Sequence, residues 1–160
     1  MTSSIIKTAD VDLPGGLNHE RMHTLLGYNL AQACIPSFKV FEKYIGKPLE
    51  VTQVEYTVLV LIDSNPDATS KQLCQSLGTA AARMSLIIDR LADRKYLTKT
   101  QSVEDKRVQH LRLTRSGKAF VDKAEGIAAS MESELLRHLT KVEQAVLMEL
   151  LRKVAVHRRV

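Results

Sequence analysis

The sequence predicts a mainly α-helical fold carrying one small β-hairpin. Three observations point there. Aromatic residues make up only 4% of the 160 residues and tryptophan is absent, so the core must be aliphatic, which suits packed helices. Apolar residues recur at helical spacing along most of the chain. The period changes to two only after Arg94, over two short segments.

Each element follows in order. Residues 1–16 read as a loose arm ending at the breaker Pro14-Gly15-Gly16. Residues 17–45 read as helical, with apolar positions Leu26, Leu30, Ala33, Phe38, Phe41 and Ile45. Pro36 is expected to kink or split this helix, because it removes a backbone donor and clashes with the preceding turn. Gly46-Lys47-Pro48 is expected to end it. Val51 to Ile62 reads as a second helix, capped by Thr52 with Glu55 three residues on, a capping-box spacing. Val54, Val58, Leu59, Leu61 and Ile62 make it apolar nearly all round, so it should be central.

Asp63 to Asp67 reads as a turn. Thr69 then caps a short helix bearing Leu73 and Leu77, and Gly78-Thr79 breaks it. A helix from about Ala80 to Arg94 carries Met84, Ile87, Ile88 and Leu91 on one face. Tyr96–Thr100 and Val108–Leu113 read as strands, the second with Leu111 and Leu113 on one side and His110 and Arg112 on the other. The polar stretch 101–107 is their tip. Thr114 caps a long helix with the stripe Phe120, Ala124, Ile127, Met131 and Leu135. Thr140, with Glu143, caps a last helix with the stripe Val142, Val146, Leu150 and Val154. No internal repeat or long linker divides the chain, so residues 1–160 read as one domain.

Charge narrows the function. The formal net charge is +5, but Thr69 to Lys118 holds 11 basic and 4 acidic residues, a local +7, and the rest is slightly acidic. A localised cationic segment is the footprint of a polyanion partner. That segment is also a short helix, a tight turn, a second helix and a basic hairpin, which is a winged helix-turn-helix. A major groove about 12 Å wide admits one helix, read through its N-terminal turns. In the second helix Ala81, Ala82, Arg83, Ser85 and Arg90 are expected to face outward. The alanines permit close approach, and Arg83 and Ser85 can donate to bases or phosphates. At the tip, Lys106 and Arg107 suit phosphate or the minor groove.

No apolar run is long enough to span a membrane, and the N-terminus does not read as a secretory signal, so a cytoplasmic location is expected. Two cysteines make no disulfide framework. There is no Gly-rich phosphate loop, nucleophile elbow or outstanding carboxylate pair, so no enzyme and no cofactor are expected.

Ile88-Asp89-Arg90-Leu91-Ala92-Asp93-Arg94, then Glu104-Asp105-Lys106-Arg107, then Leu111-Arg112-Leu113-Thr114-Arg115-Ser116-Gly117 follow one another in an order and spacing that resemble the MarR family of transcriptional regulators. The resemblance implies a homodimer held by residues 17–47 and 118–156, with residues 51–117 as the DNA-binding lobe. It implies a wing arginine at Arg107, an orienting acid at Asp105, and reading positions at Ala81, Arg83, Ser85 and Leu86. It also implies a repressor of double-stranded operator DNA, released by a small phenolic or aromatic acid, for which Arg21, His23, Tyr28, Tyr56 and Arg112 are candidate contacts. The chain departs from the pattern in three places. The glycine usual after the reading helix is replaced within Arg94-Lys95-Tyr96. The usual cap serine aligns with Ala80, leaving Thr79 to cap. Leu86 stands at a position commonly polar.

His19-Glu20-Arg21-Met22-His23 is a literal HExxH, but too little chain precedes it for a zinc protease, and no metal site is expected there. The same His19–His23 segment permits a metal-sensing regulator of this fold, and Cys34 and Cys74 permit a thiol-based redox-sensing one, although a solvated first turn or part of an effector pocket, and buried structural thiols, are expected. A helical protein–protein adaptor would explain the terminal helices but not the local +7.

Overall fold

The computed structural model of the chain describes residues 15–101 and 108–157. The hairpin tip with Asp105, Lys106 and Arg107 lies outside the described residues, as does most of the N-terminal arm. The architecture is mainly helical with one three-stranded antiparallel sheet. The chain divides into two compact units, Met1–Pro36 and Ser37–Val160.

In the first unit the helix expected from residue 17 starts later. Glu20–Met22 is only a single 3-10 turn, and helix α1 spans Leu26–Phe41. Asn29 explains the start: its amide donates to the carbonyls of His23 and Leu25, both at 2.8 Å, closing the turn that leads into α1. His19 Nδ1 is hydrogen-bonded to the Tyr28 hydroxyl. Pro36 does not split α1, which is continuous through it.

In the second unit the irregularity comes after α1 instead. Glu42–Gly46 forms a π-helical turn, and Lys47–Leu49 continues as one helical turn, α2. Gly46-Lys47-Pro48 therefore does not end the helix. Pro48 is tolerated in the first turn of α2, where its missing donor has no partner to lose. The break falls at Glu50, in the left-handed region with φ 53°.

Helix α3, Gln53–Ser64, begins with the expected box: the Thr52 hydroxyl accepts from the Glu55 N–H, and the Glu55 carboxylate accepts from the Thr52 N–H at 2.8 Å. Its Val58, Leu59 and Ile62 are buried, so α3 is the central helix. Strand β1, Ala68–Thr69, precedes helix α4, Ser70–Leu77, and helix α5, Ala81–Asp93. Strands β2, Leu97–Gln101, and β3, Gln109–Leu113, form the hairpin, with Leu97 opposite Leu113 and Gln101 opposite Gln109. The sheet order is β1-β3-β2. β1 went unread in the sequence because two residues cannot display a period; it pairs Ala68 with Leu111 and Thr69 with His110.

Helix α6, Arg115–Leu135, and helix α7, Lys141–Val156, carry the caps expected at Thr114 and Thr140. The core joins Ile45, Val58, Leu59, Ile62, Met84, Leu91, Leu111 and Val121, all fully buried. The stripe of α7 differs: Val142, Val146, Leu150 and Val154 are all exposed in the single chain. Among the described residues no helix is long and apolar enough to cross a membrane.

Candidate nucleic-acid interface

The helix pair α4 and α5 is set by its caps. Thr69 and Gln72 form a capping box at the start of α4. Gly78 ends α4 in the left-handed region, φ 59°, a conformation open to glycine without strain. Leu73 of α4 and Met84, Ile88 and Leu91 of α5 enter the core, which leaves the opposite side of α5 outward. There the structure places Ala81, Ala82, Arg83, Ser85 and Arg90, all exposed as the helical period requires. Arg83 has no hydrogen-bond or ion-pair partner among the described residues.

Thr79 is not the cap of α5. Ala80 occupies the cap position, with no side-chain hydrogen bond to the helix, and the Thr79 hydroxyl turns back to donate weakly to the Leu77 carbonyl at 3.4 Å. The first N–H groups of α5 therefore lack a side-chain cap. Such groups, with the helix dipole behind them, favour an anion.

The far end of α5 is anchored by side chains that sequence reasoning missed. Glu55 is 3% exposed, and its carboxylate accepts from Arg90 Nη1 at 3.2 Å as well as from Thr52. Burial pushes this carboxyl up. The Thr52 N–H, the Thr52 hydroxyl and the Arg90 guanidinium together outweigh it and hold the group below its usual range. Glu55 thus ties the N-terminus of α3 to α5, and Arg90 serves that tie. Arg94 donates to the carbonyls of Glu50 and Leu49, at 2.5 and 3.3 Å, and lies 4.9 Å from the Tyr96 ring centre. The signal for Glu55 in the sequence was only its cap spacing. For Arg94 there was none, since its acceptors are carbonyls 44 and 45 residues away.

The hairpin is braced on both sides. Asp89 of α5 pairs with Lys99 of β2. Arg112 of β3 makes a two-pronged contact with Asp67, at 2.6 and 2.8 Å, which holds the Asp67 carboxyl below its ordinary range. Lys95 occupies the position where the sequence lacks the usual glycine, and its φ is 63°. Its carbonyl accepts from the hydroxyls of Thr114 and Ser116, both at 2.6 Å.

A MarR-family model matches residues 49–108. Over that stretch, most of the winged lobe, the chain is similar to the MarR family. Around it the fold is that of MarR-family regulators of known structure. The transcriptional repressor CouR, solved on a 23-mer DNA duplex, is 28% identical, aligned over 87% of this chain and 98% of its own, with a TM-score of 0.81. The PcaV regulator of Streptomyces coelicolor, solved with its natural ligand, is 25% identical over 84% and 94%, with a TM-score of 0.75. Ligand-free MarR of E. coli is 25% identical over 81% and 96%, with a TM-score of 0.71. MarR-family proteins are non-enzymatic transcriptional regulators.

The candidate effector residues fall in both compact units. Arg21, His23 and Tyr28 belong to the first compact unit, Tyr56 and Arg112 to the second. Tyr56 is half-buried with its ring centre 5.8 Å from that of Phe41. Arg112 lines a cleft of about 450 Å³ with Ile62, Asp63, Pro66, Leu113 and Lys118, which does not include Tyr56. Cys34, expected to be buried, is exposed, on a stretch of α1 whose apolar residues Leu30, Ile35 and Phe38 are exposed too; Cys74 is half-buried against the core. Among the described residues no three metal-ligating side chains gather at one point.

Proposed function

We propose that the chain is a homodimeric repressor that binds a pseudo-palindromic operator through α5 and the hairpin wing. The observation that carries this is the outward face of α5. It combines small residues that allow close approach, an uncommitted Arg83, an uncapped N-terminus and a brace to the wing strand through Asp89 and Lys99. The duplex-bound state of CouR supports the same reading. Residues 51–117 form the DNA-binding lobe. Residues 17–47 and 118–156 dimerise, an assignment supported by the apolar stripe that a single chain leaves exposed on α7. Two lobes so joined would present two α5 helices roughly 34 Å apart, one turn of duplex.

Release by a small aromatic acid is the second half of the proposal, supported by the ligand-bound state of PcaV. Arg21, His23, Tyr28, Tyr56 and Arg112 remain its candidate contacts. A carboxylate drawn to Arg112 would compete with Asp67 and loosen the tie between β3 and the turn before β1. Such a ligand acts only through its differential affinity for the bound and released forms.

The test is a pair of substitutions measured against duplexes selected by the parent chain. Arg83→Ala should weaken binding in a sequence-dependent way, by about 1–3 kcal/mol for a bidentate guanine contact. Arg107→Ala should weaken all duplexes alike and lower the salt dependence. Parent-like affinity in both variants would reject the interface.

A further inference from the structure

Leu86 is the one large apolar side chain between residues 42 and 141 that is exposed among the described residues; it is 71% exposed. All other such side chains lie on α7 or at and before α1, where a second copy can cover them. Leu86 belongs to neither of those elements. It sits on the outward side of α5, four residues after Ala82 and three after Arg83, so it shares their face one turn further on. Beyond it the polar groups of that face are committed: Asp89 to Lys99, and Arg90 to Glu55. The reading face therefore offers two polar side chains, Arg83 and Ser85, and one apolar side chain long enough to reach past the helix surface.

We propose that Leu86 is a specificity-determining residue that packs on the C5 methyl group of a thymine in the operator. This rests on the reading of α5 as the helix that enters the major groove. There, thymine is the one unmodified base that presents an apolar group, and every other base edge presents donors or acceptors that a leucine would leave unpaired. Three residues of helix advance about 4.5 Å along its axis, a little over the roughly 3.4 Å between base pairs. The thymine is thus placed one or two base pairs from the base contacted by Arg83. A leucine here also disfavours cytosine, whose amino group would lose its water without gaining an acceptor.

The experiment uses the full chain and a duplex enriched from a random pool by the chain itself. Each thymine is replaced in turn by deoxyuridine, which removes the methyl group and keeps every hydrogen bond. At one symmetry-related pair of thymines the replacement should weaken parental binding by about fourfold per half-site, the value of one buried methyl-sized group. Leu86→Ala should bind the thymine and uracil duplexes alike at that pair, while keeping the parental response at all other positions. Leu86 contributes nothing to the core, so the variant folds, and its thermal unfolding should match the parent. The inference is overturned if the parent ignores the replacement at every position, or if Leu86→Ala retains the same discrimination. Enrichment of no duplex at low salt would overturn the DNA-binding reading itself. Steeply salt-dependent binding without thymine–uracil discrimination would overturn this inference alone.

Discussion

Gly117→Ala is the substitution whose effect can be worked out most fully. Gly117 is the third residue of α6, and its N–H donates to the Thr114 hydroxyl at 3.0 Å. A Cβ built there would lie 1.9 Å from the Tyr96 carbonyl oxygen and 2.8 Å from its carbon. An ordinary carbon–oxygen contact is about 3.3 Å, so the two backbones must part by more than an ångström. The same Tyr96 oxygen accepts the Thr114 N–H at 3.0 Å, and that separation breaks the bond. The lost bond costs about 1 kcal/mol, and the enforced backbone shift about 1–3 kcal/mol. Alanine's better helix propensity returns about 0.5–1 kcal/mol. The net loss is about 1–3.5 kcal/mol, or roughly 3–10 °C in Tm for a chain of this size. Because the Tyr96–Thr114 contact fixes the exit of α5 against the root of α6, duplex affinity should fall as well. Circular dichroism melts of parent and variant measure the first effect. A Tm within about 2 °C of the parent would refute the close-approach argument.

The remaining expectations concern the frame of α5 and its surroundings. Lys95→Gly removes left-handed strain of about 1–2 kcal/mol and gives back part of it as unfolded-state freedom, so Tm should rise by about 1–4 °C; an unchanged or lower Tm would contradict the strain. Ala80→Ser supplies the missing cap of α5 and should add about 0.5–1 kcal/mol by urea unfolding, whereas Thr79→Ala, which removes no cap, should change stability by less than about 0.5 kcal/mol. Glu55 is held below its usual range in the folded state. Its stabilising contribution is therefore full at neutral pH and lost as the pH falls through that lowered value. Glu55→Gln should cost about 1–2 kcal/mol at pH 7 and flatten the loss of stability on acidification below about pH 4.5; an acid profile identical to the parent's would show that the carboxylate does not hold α5.

Much of the lobe was legible in the sequence because its signals are local. Thr52, Thr69, Thr114 and Thr140 each mark a helix start through contacts three residues away. Met84, Ile88 and Leu91 mark the buried side of α5 through period alone. What failed depended on partners distant in sequence or on few residues. β1 is invisible without β3 beside it. Pro36 was expected to kink or split α1; the helix is not split there, and a π-helical turn falls at Glu42–Gly46, where no residue type announces it. The motif glycine Gly117 was readable as a match, but its reason, the Tyr96 carbonyl, was not. The same holds for Arg90 and Arg112. The sequence marks Arg90 as an outward, DNA-facing cation and Arg112 as a candidate effector contact, and both have a carboxylate partner, Glu55 and Asp67, that only the fold brings near.

The most direct test of the central claim is the stoichiometry and salt dependence of duplex binding, measured together on the purified chain by analytical ultracentrifugation and anisotropy titration. Two chains should occupy one selected duplex, with log affinity falling linearly as log salt rises and a slope set by several neutralised phosphates. One chain per duplex, or an affinity indifferent to salt, would contradict it.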